Sequence, residues 1–262
     1  MKRQVAVITG ASSGIGAGLA EALAARGMQV VLVARSAPRL EALAERLRRA
    51  GGVAHVVPMD LAEAGAAQRL HEAIRALGLP VDMLINNAGT GYHGPFEAEP
   101  IERLTQTLHL NIVTLAELTR LFVPELLFRK GTILNIASTA AFQPTPFMSS
   151  YGATKAFVLS FSEALWAEYR GSGLRVVALC PGAVETPFIN AIGQGVRGTA
   201  VFRKPLPVVD VVKACLKALD STKPSRIVGI GNWLSVQMGR FSPRALTALI
   251  SAAMLKPTGS QP

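Results

Sequence analysis

The sequence predicts an α/β protein, a doubly wound sheet of seven parallel strands with helices on both faces. Short runs rich in Val, Ile and Leu recur along the chain without polar alternation, the pattern of strands buried on both faces. Amphipathic stretches of helical length separate them, and repeated β-then-α order implies right-handed crossovers. A glycine-rich turn joins the first strand to the first helix.

Taken in order, the strand runs are residues 5–8, 30–34, 53–57, 81–85, 132–136, 174–179 and 226–230. The helix-like stretches are 15–26, 39–49, 65–77, 101–127, 151–169 and 208–219. Ser36 and Pro38 stand where the second helix should start, and Gly27, Gly51 with Gly52, and Gly171 with Gly173 where helices should stop. Pro124 should kink or end the long fourth helix. Residues 183–207, with Gly193, Gly195, Gly198 and three prolines, read as a mobile lid holding at most one short helix. The tail, 231–262, is apolar and basic and takes no clear assignment. No repeat or linker divides the chain, so one domain over 1–262 is expected.

Composition narrows the classes of function. Of 262 residues, 50% are hydrophobic and 17% charged, which argues against general disorder. The first strand follows Met1-Lys2-Arg3-Gln4 directly, too short a run for a signal-peptide core. Cys180 and Cys215 cannot build a disulfide framework, and a reducing, cytoplasmic location is expected. The net charge of +10 would suit nucleic acid, but the cations are dispersed without an aromatic platform or zinc-finger spacing, so no nucleic-acid partner is expected. His55, His71, His93 and His109 are scattered with no metal-ligand spacing. No Gly-x-Ser-x-Gly elbow supports a hydrolase.

Thr9-Gly10-Ala11-Ser12-Ser13-Gly14-Ile15-Gly16 has the form of a phosphate cradle. Gly10 permits a tight turn, Gly14 lets backbone approach a pyrophosphate, and Gly16 lets the helix pack closely on the sheet. At the end of the second strand, a carboxylate would bind the ribose hydroxyls of NAD and repel the extra phosphate of NADP. Ala34 occupies that place and Arg35 follows it. An arginine pairs with phosphate and stacks on adenine, which favours NADP(H) over NAD(H). Asp60 and Leu61 follow the third strand. Asp60 suits either the adenine edge or a capping box with Glu63. Asn86, Asn87, Ala88 and Gly89 end the fourth strand on the cofactor side. Tyr151 and Lys155, four apart at a helix start, share one face, and Ser138 ends the preceding strand on the same side of the sheet.

With these residues in order, the chain resembles the short-chain dehydrogenases/reductases, Rossmann-type proteins, in the compact branch carrying Thr-Gly-x-x-x-Gly-x-Gly. The matches are Thr9 to Gly16, Asp60, Asn86 to Gly89, Asn111, Ser138, Tyr151 with Lys155, and Pro181-Gly182 followed by Thr186. The resemblance covers roughly residues 4–190. It implies that Tyr151 is the general acid or base, that Ser138 orients the substrate oxygen, and that Asn111 positions a water for proton relay. Lys155 would hold the nicotinamide ribose and Thr186 the carboxamide. A lysine ammonium about 5 Å from the phenol, at an effective dielectric of about 20, is worth on the order of 3 kcal/mol. That would bring a phenol of ordinary pKa about 10 to near 8.

The chain departs from many tetrameric relatives after the last strand, where it lacks their Val-Asp-Gly-Gly ending. A homodimer through the fourth and fifth helices is expected instead. From Arg203 on, the cations outweigh Asp210 and Asp220, the only acids there. The tail therefore suits either an anionic membrane surface or a cover over the substrate pocket. Phe188, Ile189, Ile192, Val196, Val201 and Phe202, with residues 142–148, suggest an apolar carbonyl or alcohol as substrate. The expected activity is NADPH-dependent carbonyl reduction, with oxidation of a secondary alcohol as its reverse. Other readings are a non-catalytic NADP-binding regulator and a protein whose basic tail on a membrane matters more than its chemistry.

Overall fold

In the computed structural model, which describes residues 3–193 and 195–256, seven parallel strands form a sheet ordered β3-β2-β1-β4-β5-β6-β7. They are β1 (Val5–Thr9), β2 (Gln29–Ala34), β3 (Val53–Pro58), β4 (Met83–Asn86), β5 (Thr132–Ile136), β6 (Arg175–Cys180) and β7 (Ser225–Ile227). The predicted class is confirmed, and the apolar runs explain it. Alternate side chains of one strand enter opposite cores, so both must be apolar. In β1, Ala6 and Ile8 face a core shared with α1 (Gly14–Ala25), α2 (Ala37–Arg49) and α8 (Val208–Leu219). Val5 and Val7 face α3 (Ala66–Ala76) and α5 (Leu115–Arg129). Between them in sequence lies α4 (Ile101–Leu108), and α6 (Ser149–Glu168) packs beside β6 through Val158 and Leu159.

The strand order reverses between β1 and β4, the switch point where the carboxyl ends of neighbouring strands splay apart. All the chemistry-bearing loops leave the sheet at that end.

The fourth helix and the last strand differ from the expectation. The long fourth helix is not ended by Pro124, which lies inside α5 on the exposed side. The carbonyl of Arg120, which its ring leaves unbonded, belongs to an exposed residue that water can reach. The break comes earlier, at a π-helical turn, His109–Thr114. The last strand stops at Ile227, because β6 offers it only Ala178–Cys180 as partners and Gly229, at φ +89°, turns the chain into α9 (Ile230–Phe241). The tail is ordered as α9 and α10 (Arg244–Leu255). The lid holds the short α7 (Pro187–Ala191) and a single 3₁₀ turn, Val196–Gly198. Met1 and Lys2, position 194 of the lid and 257–262 of the tail lie outside the described residues.

Candidate active site

At the carboxyl end of the sheet a crevice of about 540 Å³ runs from the β1–α1 turn to the lid. Its end at the β1–α1 turn is built by close backbone approach. Gly10 and Gly14 sit at φ +67° and +56°, where a side chain is strained. Space excludes one as well: a Cβ on Gly10 would come within 2.8 Å of Asn87 Nδ2, and one on Gly14 within 2.8 Å of Thr186 Cγ2. Ser12, Ser13, Gly14 and Ile15 line the crevice at the start of α1, so unpaired N–H groups and the positive helix end face the cavity. This cradle suits a pyrophosphate.

Thr9, Gly16 and Asn111, expected at the cofactor or the chemistry, stand behind the crevice wall. The Thr9 hydroxyl donates to the carbonyl of Ile85 at 3.2 Å and accepts from the N–H groups of Asn87 and Ala88, both at 3.0 Å. Asn87 Nδ2 donates back to the carbonyls of Thr9 and Gly10 at 2.9 and 3.2 Å. Together they tie the turn after β1 to the end of β4. A Cβ on Gly16 would strike the carbonyl oxygen of Gly10. Ala88 and Gly89 line the crevice beyond them, as do Pro181, Gly182 and Thr186 at the far side.

Arg35 lines the open end, its side chain 76% exposed and 3.7 Å from Asp60 Oδ2. Asp60 and Leu61 line it too. The capping box does not form. Asp60 Oδ1 accepts from the N–H of Ala62 at 2.9 Å, Glu63 pairs with Arg69 at 2.8 Å, and α3 begins only at Ala66. Arg39, in the first turn of α2, is a second cation on this wall that the sequence reading missed.

At the opposite end Ser138, Tyr151 and Lys155 come together. Ser138 lies two residues past β5 rather than in it and caps a 3₁₀ turn, Thr139–Phe142: its hydroxyl accepts from the N–H of Ala140 at 3.1 Å and lies 3.4 Å from the carbonyl of Pro181. It is also hydrogen-bonded to the phenol of Tyr151. Lys155 Nζ donates to the carbonyl of Ile136 at 2.7 Å and lies 5.7 Å from the Tyr151 ring centre. The phenol does not drop towards 8. Burial pushes it up to about 12, against a smaller lowering by the Ser138 hydrogen bond. Loss of water around the phenolate, which helical spacing does not report, is the dominant cause. Burial likewise brings Lys155 down to about 8.

Asn111 occupies the π-helical turn and is 1% exposed. Its Nδ2 donates to the carbonyl of Thr90 at 2.9 Å and to Thr154 Oγ1 at 3.0 Å, and its Oδ1 accepts from the N–H of Thr90 at 3.0 Å. It therefore fixes the loop after β4 against α6, next to Lys155. Three further residues carried no local signal. A Cβ on Gly91 would come within 2.8 Å of the Tyr151 ring. Arg103 donates to the carbonyls of Gly91 and Ala191, both at 2.6 Å, and so clamps the lid. Leu255 closes the crevice from α10 and packs with Met148, Ile189, Ile192, Val196 and Phe202.

Lys155 yields a stability prediction. Its folded pKa lies below the value of a solvated lysine, so at neutral pH the native state carries a buried ammonium that it would rather shed. Below about pH 8 that cost is fully present; between about 8 and 10.5 the unfolded chain binds more protons than the native one, and stability rises with pH. Lys155→Met is expected to be more stable than the parent by up to about 3 kcal/mol at pH 7. The gap should close as pH approaches that of free lysine. Thermal melts at pH 7 and pH 10 measure it, and a variant less stable than the parent at pH 7 contradicts the reading.

A family profile described as short chain dehydrogenase matches residues 4–196. A very-long-chain 3-oxoacyl-CoA reductase of Anas platyrhynchos is 39% identical over 188 residues, covering 69% of this chain and 60% of the relative. The chain spans about three fifths of the length of the first curated relatives that it matches. Among solved structures, a short-chain dehydrogenase from Sphingobium yanoikuyae in complex with NADPH is 33% identical with a TM-score of 0.81, over 99% of this chain and 98% of that one. A short chain dehydrogenase/reductase from Burkholderia phymatum in complex with NAD has the same TM-score at 26% identity, over 100% and 98%.

Proposed function

This chain belongs to the short-chain dehydrogenase family, and from that premise we propose that it is a one-domain NADP(H)-linked reductase of lipophilic ketones or aldehydes. The observation that carries the reading is one crevice with Arg35 and Arg39 at one end and the Ser138–Tyr151–Lys155 group at the other.

The glycine cradle and the α1 terminus would hold the pyrophosphate of the dinucleotide, Arg35 and Arg39 its extra phosphate, Lys155 its ribose hydroxyls and Thr186 its carboxamide. When bound, the dinucleotide supplies or takes up a hydride. Ser138 holds the substrate oxygen by a hydrogen bond, a donor fixed in place before the reaction. Tyr151 gives its phenolic proton to that oxygen as the alcohol forms. Tyr151 holds its proton through neutral pH, so the donor of the reducing direction is in place; alcohol oxidation runs through the same groups in reverse. A non-catalytic regulator is disfavoured because all three groups are assembled. Asn111 acts through the Thr90 loop and Thr154, as a positioning residue.

Phe188, Ile189, Val201 and Phe202 line the substrate end, and apolar walls with few polar anchors suit an apolar carbonyl. The exposed Ile101, Leu108, Val113 and Phe128 support a homodimer through the expected fourth helix, here α4 and α5, with the fifth, here α6, as the other half of the interface. Cys180 and Cys215 are buried and form no disulfide, which is in keeping with a reducing, cytoplasmic setting. Titration with NADPH and NADH, followed by cofactor fluorescence, and NADPH consumption over a panel of apolar ketones test the proposal. NADPH should bind at least about tenfold more tightly than NADH, and at least one ketone should turn over. If neither nucleotide binds, the reading fails.

A further inference from the structure

Helices α9 and α10 carry their apolar side chains on the side away from the protein. In α10 the buried residues are Thr247, Ser251 and Leu255, while Leu246, Leu249, Ile250 and Met254 are exposed, Leu249 to 70%. A helix packed on a water-soluble core normally shows the reverse. In α9 only Val236 is buried, and Ile230, Trp233, Leu234, Met238 and Phe241 repeat at helical spacing on the open side. Phe241 is 90% exposed.

The charges on and directly flanking these two helices have one sign. Arg240, Arg244 and Lys256 are all exposed, and no Asp or Glu occurs between positions 221 and 262. Among the described residues none of these cations has a carboxylate partner. No described helix is long and apolar enough to cross a membrane.

We propose that the outer face of α9 and α10 docks on an anionic lipid bilayer, lying in the plane of its surface. An apolar stripe rimmed by cations matches acyl chains beneath negatively charged headgroups, and Trp233 suits the boundary between them. A second copy of the chain is a poorer occupant. Twofold pairing of this face on itself would set Arg240 and Arg244 against the same cations with no acid between them.

The opposite, buried side of α10 closes the crevice. His93 Nε2 and the carbonyl of Leu255 are 2.8 Å apart, the N–H of Ala200 in the lid donates to the carbonyl of Met254 at 3.1 Å, and Leu255 lines the crevice. Docking would therefore lay on the lipid the helix that closes the site. Resting on the proposed activity, this lets an apolar carbonyl enter from the bilayer rather than from water.

The test is co-sedimentation of the full chain with vesicles of phosphatidylcholine alone and with about 30% phosphatidylglycerol, at about 50 and 500 mM salt. The anionic vesicles should bind at least about tenfold better at low salt and lose most of that advantage at high salt. Phe241→Ser combined with Leu249→Ser should weaken binding at least about tenfold. Arg240→Glu with Arg244→Glu should abolish the preference for anionic lipid. Both variants should bind dinucleotide as the parent does, which shows that they fold. Equal binding to the two vesicles, or variants that bind like the parent, would overturn the proposal. So would a dimer that dissociates on Phe241→Ser with no vesicle binding, since it gives the face to a second copy. None of these readouts needs turnover, so failure here is separate from failure of the reductase reading.

Discussion

Tyr151→Phe is expected to lower kcat/KM for carbonyl reduction by about 10²–10⁴-fold, the usual contribution of a positioned acid. The substitution removes one oxygen and little else. The ring keeps its place against Gly91 and its tilted packing on Phe188, 5.5 Å between centres, so the crevice should retain its shape. What disappears is the proton that Ser138 and Tyr151 together present to the substrate oxygen. Dinucleotide affinity should stay within about twofold, because Lys155, its bond to Ile136 and the glycine cradle are untouched. Steady-state NADPH oxidation with the best ketone of the panel, beside a fluorescence titration, reads both quantities. A variant within tenfold of the parent would mean that the proton comes from elsewhere, and the role assigned to Tyr151 would be lost.

The groups tested by that substitution were legible in the sequence because their signals are local. The glycines sit at the joint of a strand and a helix, and Tyr151 and Lys155 share a helix face. The strands were legible because residues such as Val5 to Ile8 must be apolar on both sides. Features set by distant partners were not. Nothing near Arg103 announces that it binds Ala191, 88 positions away, nor does His93 announce Leu255. The π-helical turn that buries Asn111 interrupts what reads as one continuous helix. The tail was opaque for a different reason: α10 buries Thr247 and Ser251 and exposes Leu249, so its hydrophobic stripe points away from the core that such a stripe normally locates. The phenol was misjudged because a charge–charge distance can be guessed from helical spacing, whereas the loss of water around a side chain depends on every element that covers it.

Arg35→Ala is expected to weaken NADPH binding by about 10–100-fold and to leave NADH within about twofold, because a charge-assisted hydrogen bond to phosphate is worth roughly 1.5–3 kcal/mol. The geometry permits this selectivity. Among the described residues Arg35 is held only by an exposed, 3.7 Å pairing with Asp60, an interaction of little net value, so the guanidinium can turn to a phosphate at small cost. Ala34 beside it offers no carboxylate to repel the phosphate or to bind a bare ribose. Arg39 lines the same wall from the first turn of α2, so Arg35→Ala with Arg39→Ala should lose more NADPH affinity than either change alone. The same pair should flatten the salt dependence of NADPH binding, since fewer charges then meet the phosphate. Fluorescence titrations with both nucleotides at two ionic strengths give the comparison. Equal weakening of NADPH and NADH would assign Arg35 to the adenosine shared by the two nucleotides rather than to the phosphate that distinguishes them. The preference for NADP(H) would then have to come from another group.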